Sequence, residues 1–175
     1  MDRMHLLNLL LLGLYPALLC TAIGTDLSRR VIPNALVAAL IAGFAMVAGL
    51  SPLPDLSLRL LVAGSVTAAG FALFAQDVIG AGDAKLAGAL ALWLDPAQVP
   101  LFLIACGLIG AALTLAATVK ARATRAPSPV PASRLTPFSR PLARLAASGE
   151  TLPYGVALAG AGLLLHPYSS LMVPG

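Results

Sequence analysis

Leu101-Phe102-Leu103-Ile104-Ala105-Cys106-Gly107-Leu108-Ile109-Gly110-Ala111-Ala112-Leu113-Thr114-Leu115-Ala116-Ala117-Thr118-Val119 runs without a single charge. As a helix, at 1.5 Å per residue, it is about 28 Å long, close to the hydrocarbon thickness of a bilayer. It therefore reads as a transmembrane helix. Five further apolar runs flank it toward both termini: Leu6–Ile23, Ala35–Leu50, Leu56–Ala75, Ala84–Leu94 and Leu152–Val173. The fourth of the six is short. It must borrow from 78–82 or lie beside a water-filled cavity. The last is interrupted by His166-Pro167.

The whole chain agrees with this reading. It has 175 residues, 59% hydrophobic and 10% charged, and a mean hydropathy of +0.92. A soluble domain carries about 25% charged residues to wet its surface. Six spans of about 20 residues would occupy most of the chain. The expectation is an all-α polytopic membrane protein, a single membrane-embedded domain over 1–175 with about six transmembrane helices. The net charge of +4 reads as basic cytoplasmic loops, not as a nucleic-acid surface. The 5% aromatic content argues against a base-stacking platform. The N-terminal run has no small-x-small cleavage site after it, so it reads as a retained span rather than a signal peptide.

The loops are asymmetric. Arg29 and Arg30 follow the first run, Lys85 stands at the fourth, and Lys120, Arg122, Arg125, Arg134, Arg140 and Arg144 follow the fifth. The opposite side would hold only Arg3 and Arg59. Basic short loops stay in the cytoplasm, so both termini are expected outside (N-out/C-out) and the three basic loops inside. The segment at about 120–150 is rich in Pro, Ser and Arg. It reads as a basic cytoplasmic linker and topology anchor that can also meet anionic lipid.

Acids near spans need a reason. Asp2, Asp55, Asp95 and Glu150 read as wetted loop residues, which leaves Asp26, Asp77 and Asp83. Asp26 ends the first span and precedes Ile32-Pro33-Asn34, where Pro33 can open the next helix. Taken alone, Asp26 would simply pair with Arg29 or Arg30. Asp83 sits in Ile79-Gly80-Ala81-Gly82-Asp83-Ala84-Lys85-Leu86. The two glycines let the backbone bend and another chain approach. The topology puts Asp26 and Asp83 on one cytoplasmic face. Two adjacent carboxylates share a proton, one taking a proton from water while the other donates to a carbonyl. That is aspartyl-protease chemistry without metal or cofactor. His5 and His166 are isolated, and Cys20 and Cys106 form no zinc pattern. Asp77 reads as an interfacial acid partnered by Lys85 or an Arg, or as an acid that meets a basic peptide.

Asp26 with Ile32-Pro33-Asn34, then Gly80-Ala81-Gly82-Asp83-Ala84-Lys85, then Leu152-Pro153-Tyr154-Gly155, resemble the type IV prepilin leader peptidases (GxGD-type membrane aspartyl proteases). They are most like the short branch serving Flp/Tad pili (CpaA/TadV-like). The resemblance implies catalytic roles for Asp26 and Asp83. The substrate it implies is a prepilin, cut between its basic leader and its apolar N-terminal helix, at the cytoplasmic face of the bacterial inner membrane. Gly80, Gly82, Lys85, Pro33, Asn34, Pro153, Tyr154 and Gly155 are expected to shape the site or touch substrate. Larger members carry a CxxC…CxxC insert and also methylate the new N-terminus. This chain has two cysteines in all, so peptidase activity without N-methyltransferase activity is expected. The competing reading is a small proton- or cation-coupled transporter that uses the same acids. A non-catalytic subunit of a pilus or secretion assembly is a third.

Overall fold

The structure is a computed structural model and describes residues 3–51, 53, 55–123 and 154–171. Every regular element among these residues is helical. The chain begins with α1 (Arg3–Asn8), passes through one π-helical segment (Leu9–Leu14) and continues as α2 (Tyr15–Arg29). Then come α3 (Asn34–Leu50), α4 (Leu56–Phe74), α5 (Ala81–Trp93), a 3-10 turn (Pro96–Gln98) and α6 (Val99–Ala123). Last come α7 (Tyr154–Leu165) and a 3-10 turn (His166–Tyr168).

Three stretches are long and apolar enough to cross a membrane: His5–Arg29, Leu56–Phe74 and Pro96–Val119. Asn34–Leu50 is apolar but shorter. α5 has 13 residues and α7 has 12, each about 20 Å or less by helical rise. By length, then, three of the six expected spans qualify among the described residues. The expected break at His166-Pro167 is real, because α7 stops at Leu165. The expected linker start at 120 is displaced: residues 120–123 are the last turn of α6. The rest of the linker, and Pro153, lie outside the described residues.

Pro16 explains the π-helical segment. A proline has no N–H and crowds the carbonyl four residues back, and a local π turn relieves that crowding. Here the Tyr15 N–H bonds Leu10 O, five residues back. Leu11 O has therefore lost its α-helical donor, and the next donor along would be Pro16. The freed carbonyl is taken by His166 Nε2 at 2.9 Å. The His166 ring stacks on Tyr15 with centroids 4.1 Å apart. Tyr15 also meets Trp93 at 4.7 Å. His166 is thus buried and bonded to the first helix.

α5 lies at the centre. Leu86, Leu90 and Trp93 are fully buried, and so are the alanines and glycine between them on the other faces. A helix that is apolar all round must be enclosed by others, and here α3, α4 and α7 all pack on it. The α4–α5 contact is the most extensive, and small residues make it close. A methyl added to Gly70 would lie 3.0 Å from Ala84 Cβ. One added to Gly88 would overlap Thr67 Oγ1 and lie 3.1 Å from Thr67 Cβ. Trp93 Nε1 donates to Leu40 O at 3.1 Å, which ties α5 to α3.

The C-terminal end of α5 is clamped by charge. Arg59 is only 2% exposed. It donates to Leu94 O at 2.8 Å and to Ser170 Oγ at 2.9 Å, and it pairs with Asp95. Asp95 in turn accepts the Ser170 N–H at 2.8 Å. Asp95 is therefore an ion-pair partner and not the free loop acid expected from its neighbouring proline. Asp55 is exposed, as expected. A buried arginine needs its donors satisfied, and the carbonyls where α5 ends supply acceptors.

Replacing Gly88 with Ala should push α4 from α5 and cost about 1–3 kcal/mol. Adding Thr67→Ala should return part of that loss. Thermal unfolding in detergent reports both effects, and an unaltered melting temperature in Gly88→Ala would contradict the packing described.

Candidate active site

Asp26 lies inside α2, a turn before its end, because the helix runs on past the expected boundary at Ile23 to Arg29. Thr21, Thr25 and Ser28 bond back to carbonyls four residues earlier. Their hydroxyls are thereby satisfied without breaking the helix. Arg30 then closes α2 in a left-handed conformation (φ 54°), its N–H donating to Asp26 O at 3.0 Å. The Asp26 side chain is buried and turned toward the start of α7. Its Oδ2 accepts the Val156 N–H at 3.0 Å, and the Gly155 N–H is also directed at the carboxylate. It caps a helix 130 residues away, where free amides and the helix dipole favour negative charge. Arg30 also acts on this charge, but burial against α7, not a surface pair, defines the position.

Asp83 is the third residue of α5. Its Oδ2 accepts the Gly80 N–H at 3.3 Å, so the acid reaches back to the first amide before its own helix. Burial, and then the nearby Asp26 charge, push its pKa up to about 6, against the pull of the Gly80 amide. Asp26 is therefore near enough for its charge to act on Asp83.

A hydrophobic side chain joins their supports. Ile32, in the α2–α3 connection, touches both glycine positions. A methyl on Gly82 would lie 3.3 Å from Ile32 Cβ. A methyl on Gly155 would lie 3.0 Å from Ile32 Cδ1 and 2.8 Å from Asp26 Oδ2. These glycines serve close approach, and backbone bending plays no part: Gly80 has φ −73° and ψ 148°, values any residue adopts. The sequence reading quoted Ile32 only as part of a motif and gave it no role. Its signal was its place beside Pro33, which holds the connection extended (φ −63°, ψ 135°). Pro33 is the N-cap of α3 and not its first helical residue. Its carbonyl accepts the Leu36 N–H at 3.0 Å.

Lys85 Nζ donates to Asn34 Oδ1 at 3.1 Å, which ties the start of α5 to the start of α3. The two motifs that the sequence placed 51 residues apart are thus physically bonded. Tyr154 opens α7, partly exposed, and lines the same groove as Asp83. Asp77 is exposed in the α4–α5 turn with a left-handed φ of 56°. It does not pair with Lys85, whose ammonium goes to Asn34.

Two outcomes test this geometry. Raising the folded pKa of Asp83 means the folded state holds the proton longer than the unfolded chain. Stability is then lost as pH rises from about 4 to about 6, and the loss persists above that range. Asp83→Asn keeps an acceptor for Gly80 and removes the charge. It should melt a few degrees above the unmodified protein at pH 8, at about 2–4 °C per kcal/mol for a chain of this size. The gap should close near pH 4; a gap that widens in acid would refute the electrostatic account. Gly155→Ala should displace Asp26 or Ile32 and lower activity about 100-fold, since an ångström of misplacement costs that much. Gly82→Ala, with more room, should cost much less. Cleavage assays at equal protein levels compare the two.

A profile of the type IV leader peptidase family matches residues 13–115, well over half of the chain. The match includes both Asp26 and Asp83. Searches against curated proteins and against solved structures returned no significant match. A helical bundle with membrane-length apolar helices, and two buried or half-buried carboxylates at one end, is in keeping with that match. The chain belongs to the type IV leader peptidase family and is, at that level, a membrane protease.

Proposed function

We propose that this protein is an aspartic endopeptidase of the bacterial inner membrane that removes the basic leader from Flp-type prepilins at the cytoplasmic face. Asp26 and Asp83 form the catalytic pair. The observation that carries the reading is the pair itself: two acids from distant segments, each capping a helix, one charge raising the pKa of the other. Two carboxylates this close can share one proton, which leaves one to act as acid and the other as base.

Asp83, with its raised pKa, holds the shared proton and donates to the carbonyl oxygen of the scissile bond. Asp26, supported by the α7 amides, takes a proton from water as the water oxygen attacks the carbonyl carbon. Collapse of the tetrahedral intermediate breaks the C–N bond: the proton held by Asp26 passes to the departing amine, and the hydroxyl formed on the old carbonyl oxygen returns its proton to Asp83. One carboxyl of the leader and one free amine of the mature pilin result, with one water consumed. Lys85 and Asn34 hold the starts of α5 and α3 together around the pair. The basic loops place this end in the cytoplasm, with both termini outside. The new N-terminus leaves unmethylated.

Asp26→Asn and Asp83→Asn should each reduce leader removal by about 10²–10⁴-fold while the protein still inserts. Co-expression with a Flp-type prepilin and a gel-shift assay measure this, and mass spectrometry of the product reads its methylation. Complete processing by Asp83→Asn would overturn the proposal.

A further inference from the structure

A groove of about 710 Å³ runs between α4 and α6, floored by α5 and α7. The chemistry above uses only one of its lining residues, Asp83. Ser65, Ala69 and Leu73 face it from α4, and Leu103 and Gly107 from α6. Among the described residues, Asp83 is the one charged residue that lines it. α4 packs against the Pro96–Gln98 turn that leads into α6, so the two walls approach each other at the end of the bundle away from Asp83.

We infer that this groove seats the first turns of the substrate's apolar helix, with the scissile bond at Asp83 and the basic flank beyond it. The inference rests on the peptidase reading and names the subsite that reading leaves open. Size is the first argument. A helix about 10 Å across would fill 710 Å³ over roughly six residues, a little under two turns. The lining is the second. Glycine, alanine and serine on the walls let a helix backbone come close, and that contact drives helix association in lipid. A methyl on Gly107 would meet nothing within 4 Å, so the groove is open where a partner's side chain would enter.

Charge is the third argument, and it picks the occupant. The walls are neutral along their length, while the end carries Asp83. The exposed Asp77 lies in the turn between the lining residues Leu73 and Ile79. The complementary ligand is uncharged inside the groove and positive just outside it. A lipid tail matches the inside alone. An apolar helix with a basic flank on its cytoplasmic side matches both and delivers a peptide bond to the acid. Asp77, unpaired with Lys85, then faces the positive flank.

Gly107 and Gly64 give a matched test, since a methyl at either meets nothing within 4 Å and only Gly107 lines the groove. Gly107→Leu should raise KM for full-length prepilin at least tenfold with kcat within about twofold. Gly64→Leu should change neither. A short peptide spanning the cleavage site without the apolar helix should be cut equally by all three proteins. Benzoylphenylalanine at position 107, in an Asp83→Asn background, should photo-cross-link prepilin, and at position 64 should not. Normal KM in Gly107→Leu, or no prepilin adduct from position 107 while the unmodified enzyme cleaves, would leave the groove to lipid and overturn the inference alone. A prepilin-independent dimer adduct would assign the groove to a second copy and overturn it too. Failure of the unmodified enzyme to cleave any prepilin would remove the peptidase reading, and the subsite with it.

Discussion

The rest of the structure depends on the enclosure of α5. Its sequence, Ala81-Gly82-Asp83-Ala84-Lys85-Leu86-Ala87-Gly88-Ala89-Leu90-Ala91-Leu92-Trp93, offers no polar face between its ends. Every side of its middle must be covered by protein or lipid, and protein covers it. Small residues make the cover tight on the α4 side, and Trp93 makes it specific on the α3 side. The two ends are then the only places where charge can enter. At one end Arg59 and Asp95 gather the last carbonyls of the helix into a closed, paired cluster. At the other, Asp83 stands with a like-charged neighbour and a raised pKa. The clamped end fixes the register that places Asp83 at the other.

The first helix serves the same helix by another route. Pro16 would interrupt a regular α-helix, and the π segment absorbs the fault. The carbonyl it frees bonds His166, and the Tyr15–His166–Trp93 stack joins the first helix, the end of α7 and the end of α5. Asp26 lies on the continuation of that helix, about three turns past Tyr15. A fault near one end of the bundle thus helps hold α2 in the register that brings Asp26 to α7.

Much of this was legible in the sequence, and for physical reasons. Apolar length located the helices, since hydropathy is a local property, but only three of the six expected spans are long enough to cross a membrane among the described residues. Asp26 was legible as an acid at a helix end and Asp83 as an acid after two glycines, and the charge of the first acts on the second. What could not be read was tertiary. Arg59 looked like a minor exterior charge, because nothing local says that it folds inward onto the end of α5. His166 looked isolated, because its acceptor exists only where Pro16 disturbs a helix 155 residues away. The glycines of the site were legible as places of close approach, but not what approaches them: Asp83 at Gly80, Ile32 at Gly82, and Asp26 with Ile32 at Gly155. Pairing across space, unlike hydrophobic length, leaves no trace in neighbouring residues.

The groove follows from the same unequal packing. α4 gives its small-residue face to α5, and α6 packs mainly on α7. Each helix has committed one side, and the space between them is floored by α5 and α7. Filling that space permanently with a side-chain contact would bury Asp83 against apolar walls with no ligand, and its charge would then cost more than it does half-open. Leaving the space open keeps the acid hydrated at rest. An entering apolar segment would displace that water and raise the pKa of Asp83 further, since burial is already the largest influence on it. The proton would then be held most firmly when a carbonyl is present to receive it. On the proposed reading, the openness that looks like poor packing at rest would tie proton retention to the presence of substrate.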